Sequence, residues 1–251
     1  MKLTFKRAPE DAREEYSGKK LTEEENKDVK KWMNGFKKAW KPMEQKVLNA
    51  LTEETKLQWD LPKLQCNVIY RFKKDDWQSG WSNPLTLSAY QNDKKNDYQK
   101  ALGCMVEELA HNLLQVQNNF DVKKYHDDKF KDEDKGMATH VAVFALVKKV
   151  FEKVPELGKY EYFEKTNTTG EEKIYKRAAE FVKKSDCNKV LAEALTPTYC
   201  NPRSKEEKET VLIGDLGDPH YSKKEQEKYV KAENERIAKF NNDAHRPRTH
   251  E

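Results

Sequence analysis

The chain has 251 residues, with 48 Lys and Arg against 44 Asp and Glu, and 36% of its residues are hydrophobic and 37% charged. No run of 18 apolar residues occurs, and the charged N-terminus lacks an apolar segment. A membrane span and a secretory signal are therefore both disfavoured. The low apolar fraction also predicts that part of the chain lies outside the packed core.

Charge and cysteine content restrict the partners and the compartment. The formal net charge of +4 is a small excess over nearly equal numbers of both signs, so nucleic-acid binding is disfavoured. The four cysteines lie far apart in the sequence, as expected of reduced thiols. We therefore expect a cytoplasmic protein, and the composition leaves its oligomeric state open.

Residues 1–58 are predicted to form an N-terminal helical region. Residues 1–20 show no periodicity, whereas Thr22 and Glu25 have the spacing of a capping box, which predicts the start of a helix. Pro42 interrupts the apolar stripe that follows and should divide the helix in two. The stripe recurs at intervals of three and four, with Val29, Trp32, Met33, Phe36, Trp40, Met43, Val47 and Leu51.

Residues 59–200 are predicted to form the main domain. Alternation with period two predicts strands near 64–72 and 84–90, separated by a turn-rich segment, and Pro84 favours a sheet edge for the second strand. The predicted helices lie near 96–118, 137–154, 171–184 and 188–195, with a polar connection over 118–136. This order predicts an α+β fold, mostly helical with a small sheet. Residues 201–251 form a charged C-terminal extension, either disordered or a surface helix.

The helix near 96–118 carries the most informative pattern in the chain. Glu107, Glu108 and His111 share one helix face with Cys104. Side chains at i and i+4 are one turn apart and can hold one metal ion, while the residue at i+1 can reach a water on that ion. The segment EELAH (107–111) therefore has the spacing of the zinc-peptidase helix motif, with Glu instead of His at the first position.

His140 is the natural third ligand. It lies on the following predicted helix among small and apolar residues, and a helix hairpin would bring it to His111. Glu107, His111 and His140 would then supply one carboxylate and two imidazoles, the ligand count of a catalytic zinc site with an open position for water. The same set suits non-haem iron, so zinc is the first expectation and another divalent metal stays open.

Each of these residues also has a simpler interpretation. Glu107 and Glu108 could form a solvated helix face, His140 could be a hydrogen-bonded core histidine, and Cys104 could be a core residue. The segment Tyr125-His126-Asp127-Asp128 also contains potential ligands, but a solvated loop is the commoner case for such a charged stretch.

The segments PLTLSAY, MVEELAHNLL and THVAVFALVKKVF, followed by a Tyr-Lys-Arg-Ala-Ala helix at 175–179, resemble a family of small zinc metallopeptidases of bacteria, archaea and phages. The motif helix of that family reads HELAHNLL or close to it, and the likeness spans residues 60–195. The resemblance implies a zincin-like core, metal ligands at Glu107, His111 and His140, and Glu108 as general base. It also implies that an edge strand holds an extended peptide by β-addition.

Two functions follow from the pattern and the resemblance. The first is a metal-dependent peptidase that cleaves a peptide or protein substrate with metal-activated water and Glu108 as the base. The second is a catalytically inactive zincin-like pseudoenzyme that binds a partner protein, because Glu107 replaces the histidine of the family pattern.

Overall fold

The computed structural model of the chain describes residues 1–8, 10, 13, 19–59, 63–70, 80–82, 85–89, 98–167 and 173–200. The predicted extension over 201–251 and the ends of the two predicted strands lie outside these residues. The strands are β1 (Lys2–Arg7), β2 (Lys63–Ile69), β3 (Gly80–Ser82) and β4 (Leu85–Ser88). The α-helices are α1 (Glu23–Trp40), α2 (Glu44–Thr55), α3 (Tyr98–His111), α4 (Val122–Lys129), α5 (Lys135–Lys153), α6 (Tyr160–Asn167), α7 (Lys173–Lys184) and α8 (Cys187–Ala194).

The described strands form one small sheet in the order β1-β2-β4-β3. β1, β2 and β4 are mutually parallel, whereas β3 runs antiparallel to β4, with Gly80 opposite Leu87. All four residues of β4 are buried, because this strand has neighbours on both sides and α3 packs against it. The fold is α+β, as the sequence predicts.

Two features of the sheet differ from the prediction. The strand near 84–90 was predicted at a sheet edge and this is wrong, because β4 is interior and β3 is the outermost described strand on that side. β3 comes from the segment predicted to be only a turn. β1 is a strand that the sequence analysis does not predict, although Leu3 and Phe5 alternate with the polar residues Lys2, Thr4 and Lys6.

The N-terminal helices follow the local sequence signals. Thr22 caps α1 by accepting a hydrogen bond from the Glu25 amide, and the Glu25 carboxylate accepts one from the Thr22 amide at 2.9 Å. The predicted capping box is thus confirmed. α1 ends at Trp40, just before Pro42, and α2 begins at Glu44, so the predicted division at the proline is also confirmed.

Helix α5 lies at the centre of the helical layer. It packs against α2, α3, α4, α7 and α8, and residues 141–147 are all buried. A helix that is apolar on every side belongs in the interior, and the hydrophobic core runs continuously from α1 and α2 through α3 to α5 and α8. In this packing, the N-terminal part of α5 lies beside the C-terminal end of α3.

The polar connection between α3 and α5 is more ordered than the sequence suggests. It contains α4, which Asp121 caps, and Tyr125 and His126 on this helix are buried. The His126 Nε2 atom lies 2.7 Å from the Glu133 carbonyl oxygen. The solvated-loop interpretation of this segment is therefore wrong for these two residues. Across the described part of the chain, no helix is both long and apolar enough to cross a membrane.

Candidate metal centre

Three potential metal ligands converge where α3 meets α5. Glu107 and His111 come from α3 and His140 comes from α5, and one donor atom of each lies within 4.8 Å of the others. Donor atoms that bind one ion at about 2.0–2.2 Å lie about 3–4 Å apart. Closure around an ion therefore needs movements of only about 1 Å. The structure brings together the three residues that the sequence predicts as ligands.

His140 presents a nitrogen that has no hydrogen-bond partner. Its Nδ1 atom lies 2.8 Å from the Gly136 carbonyl oxygen. Because a carbonyl oxygen only accepts, Nδ1 carries the proton and Nε2 carries the lone pair. Nε2 is buried and has no partner among the described residues. Since a buried unpaired nitrogen is costly, a cation bound at Nε2 would satisfy it, and an outer N–H to carbonyl bond is the usual support of a ligating histidine.

His111 is oriented in a similar way. Its Nδ1 atom lies 3.3 Å from the Gln115 side-chain oxygen, which leaves Nε2 as the second candidate donor. The rings of His111 and His140 meet edge to face with centroids 5.1 Å apart. The Tyr175 ring, on α7, packs against His140 at 4.0 Å between centroids. Tyr175 therefore helps fix the His140 imidazole, a role that no local pattern in the sequence indicates.

The protonation states of the two histidines favour the binding of a cation. Burial, and then the neighbouring His140, lower the pKa of His111 to about 3, and burial lowers the pKa of His140 to about 4. Both imidazoles are therefore neutral at pH 7, which is the form that binds metal. Glu107 is buried beside them. One carboxylate with two neutral imidazoles is a donor set that fits a divalent ion such as zinc.

Glu108 lies against β3, the outermost described strand on this side of the sheet, instead of joining the donor cluster. A Cβ atom on Gly80 of β3 would lie 2.8 Å from Glu108 Cγ and 2.6 Å from Cys104 Sγ. Only glycine allows the backbone of β3 to approach α3 so closely. Burial, and then the charge of Glu107, raise the pKa of the Glu108 carboxyl well above its ordinary value. The predicted base therefore lies beside β3 and is not part of the donor cluster.

A polar link ties β3 to the end of α3. The Asn112 side-chain amide donates to the Ser82 carbonyl oxygen at 3.0 Å, and the Gln117 amide donates to the Asn112 oxygen at 2.8 Å. Asn112 and Gln117 are five residues apart and delimit a π-helical turn that directly follows His111. π-Helical turns often occur at functional sites. Sequence reasoning missed this link, because a single asparagine after the motif gives no signal.

Cys104 belongs to the core, as its simpler interpretation predicts. It is buried, and burial, followed by the charge of Glu108, raises the pKa of its thiol. Such a thiol is protonated at neutral pH and is a poor ligand and nucleophile. Cys104 is not part of the donor cluster, and all four cysteines are free thiols.

Comparisons with known proteins give no match. No family model, no curated protein and no solved structure is significantly similar to the chain. The function of the protein is therefore inferred from the chemistry and geometry of this centre.

Proposed function

We propose that the protein is a metal-dependent peptidase of zincin type, with zinc bound by Glu107, His111 and His140. The observation that carries the proposal is the buried donor cluster, in which two neutral imidazoles and a carboxylate converge and one imidazole nitrogen has no other partner among the described residues. Three protein ligands on a four-coordinate ion leave one position for water or substrate, as catalytic zinc sites require.

A peptide substrate is supported by the position of β3. This strand is outermost in the described sheet, and its Gly80 lies against Glu108. An extended peptide can add to such an edge through main-chain hydrogen bonds. A peptide held there would run past the carboxylate proposed as the base.

In the proposed hydrolysis, the zinc ion and the protein side chains have different roles. When bound, zinc supplies Lewis-acid activation of a water and of the scissile carbonyl. Glu108 accepts the proton of the attacking water as the new C–O bond forms. It then passes that proton to the amide nitrogen as the C–N bond breaks, so that the amine leaves neutral. His140, held by Gly136 and Tyr175, keeps the donor set in place.

The Glu108→Gln variant tests this role. The glutamine side chain cannot take a proton, so hydrolysis of a quenched-fluorescence peptide library should fall by about 10²–10⁴-fold. Zinc content and thermal stability should stay unchanged, since Glu108 is outside the donor cluster. Glu180→Gln, on the exposed face of α7, is the control and should keep full activity. Undiminished hydrolysis in Glu108→Gln would refute the assignment.

A catalytically inactive, partner-binding protein is the second candidate, and one observation favours it. Glu108 is half-buried next to the buried Glu107, and desolvation with this neighbouring charge raises the pKa of Glu108. A raised pKa lowers the fraction of ionised carboxylate that could act as the base. This candidate predicts that the wild-type protein binds no stoichiometric metal and hydrolyses no peptide, while keeping its fold.

A further inference from the structure

The outer face of α1 and the first residue of α3 form a groove rich in lysine. Its volume is about 520 Å³, and we call it the lysine groove. The residues that line it are Lys27, Lys30, Lys31, Asn34, Gly35, Lys38 and Tyr98. None of them belongs to the donor cluster.

The lysine groove follows from the helical repeat of α1. Lys27, Lys31 and Lys38 recur near whole numbers of turns, with Lys30 beside them, so their side chains share one face. The opposite face holds the buried stripe that packs on the core. All four lysines are exposed. The amphipathic pattern that buries one side of α1 therefore concentrates positive charge on the other.

Among the described residues, these four lysines lack the acidic partners that many other lysines of this protein have. Lys124 pairs with Asp128 at 3.0 Å, and Lys153 pairs with Glu54 at 2.7 Å. In the described part of the chain, none of the four lysines of the groove forms an ion pair. Like charges one helical turn apart repel each other, so an anion bound among them would relieve the repulsion.

The floor of the lysine groove adds neutral polar groups. The Tyr98 ring packs on Trp32 and Phe36, with centroids 5.8 and 6.4 Å away. The Tyr98 hydroxyl lies against Gly35, where a Cβ atom would overlap it. Glycine at this position therefore allows the Tyr98 side chain to pack against α1. The tyrosine hydroxyl and the Asn34 amide can each donate a hydrogen bond to an anion.

We propose that the lysine groove binds phosphate groups. Four ammonium groups that form no ion pair among the described residues, flanked by an amide and a hydroxyl, suit a ligand with several negative oxygens, and lysine is a common phosphate ligand. The phosphates could belong to a free polyphosphate compound or to a single-stranded nucleic acid.

Binding of tripolyphosphate and of a labelled oligothymidylate to the full chain tests the proposal. Tripolyphosphate is titrated by calorimetry, and the oligonucleotide by fluorescence anisotropy at several salt concentrations. The variant is Lys27→Gln with Lys31→Gln. The control is Lys176→Gln with Lys189→Gln, at two exposed lysines on α7 and α8. It lowers the net charge by the same two units as the groove variant.

We expect the groove variant to lose about tenfold or more in affinity for the ligand that binds, and the control to lose less than about threefold. Tripolyphosphate binding alone would identify a free phosphate compound. Binding of the oligonucleotide would identify a nucleic-acid backbone if the slope of log K against log salt concentration is smaller in magnitude by about 1.4 in the groove variant than in wild type. Equal losses in the two variants, or no binding of either probe to wild type, would overturn the proposal. Circular dichroism of both variants checks that α1 is intact.

Discussion

Replacing Gly80 by alanine should destabilise the protein, because the added methyl group has no room between β3 and α3. Its carbon would lie 2.6 Å from Cys104 Sγ, 2.8 Å from Glu108 Cγ and 2.9 Å from Glu108 Oε1. Real contacts of this kind are longer by several tenths of an ångström, so the strand or the helix must shift. Overpacking of this size costs about 1–3 kcal/mol in the free energy of unfolding.

A double-mutant cycle separates this clash from other effects of the substitution. Cys104→Ala removes the nearest atom and leaves a small void, so the single variant should also be destabilised, by about 1 kcal/mol. In the double variant the methyl group occupies that void, and the loss should be smaller than the sum of the two singles by about 1 kcal/mol.

Urea unfolding followed by circular dichroism measures all three variants. Ser82→Ala, on the same strand, is the control and should stay within about 0.5 kcal/mol of wild type. If Gly80→Ala also stays within about 0.5 kcal/mol of wild type, or if the cycle shows no coupling, the close approach of β3 to α3 is wrong. The position of Glu108 beside the sheet edge would then be wrong as well.

Two further predictions concern the same region. Asn112→Leu should lower the free energy of unfolding, measured with urea, by about 1–3 kcal/mol, because it leaves the hydrogen-bond partners of Asn112 unpaired. The control Gln45→Leu, on the exposed face of α2, should lower it by less than about 0.5 kcal/mol. Equal losses in the two variants would contradict the link between Asn112 and β3. In metal-free protein the folded pKa values of His111 and His140, about 3 and about 4, lie below the unfolded value of about 6.5. The unfolded state thus binds more protons below about pH 6.5, and stability should fall between about pH 6.5 and pH 5 by up to about 2.7 kcal/mol per pH unit. Replacing both histidines by Gln should flatten this slope, and an unchanged slope would contradict the buried neutral state.

The sequence predicts the helices well because their signals are local. A capping box, Pro42 and a repeat of three and four residues act within a few turns of chain. The same locality predicts that Glu107 and His111 meet, since they are one turn apart. Predicting His140 as a ligand required one tertiary assumption, that two consecutive predicted helices pack as a hairpin. The structure places α4 between these two helices and still brings His140 to the cluster.

The sheet edge and its contacts could not be read from the sequence in the same way. β3 is only three residues long and is defined by its pairing with β4, and β1 is defined by pairing with β2, a strand distant in the sequence. The roles of Gly80, Asn112 and Tyr175 depend on elements distant in the chain. Such partners are fixed by tertiary packing, which local periodicity does not encode.

The metal content of the purified full-length protein tests the central claim most directly. Elemental analysis would be made on wild type, His111→Ala and Glu107→His, with circular dichroism to check the fold of each variant. About one equivalent of zinc is expected in wild type, lost in His111→Ala and retained in Glu107→His. Wild type without metal beside Glu107→His with one equivalent would contradict the peptidase proposal and favour the inactive, partner-binding protein. Absence of metal from both would contradict the metal centre itself.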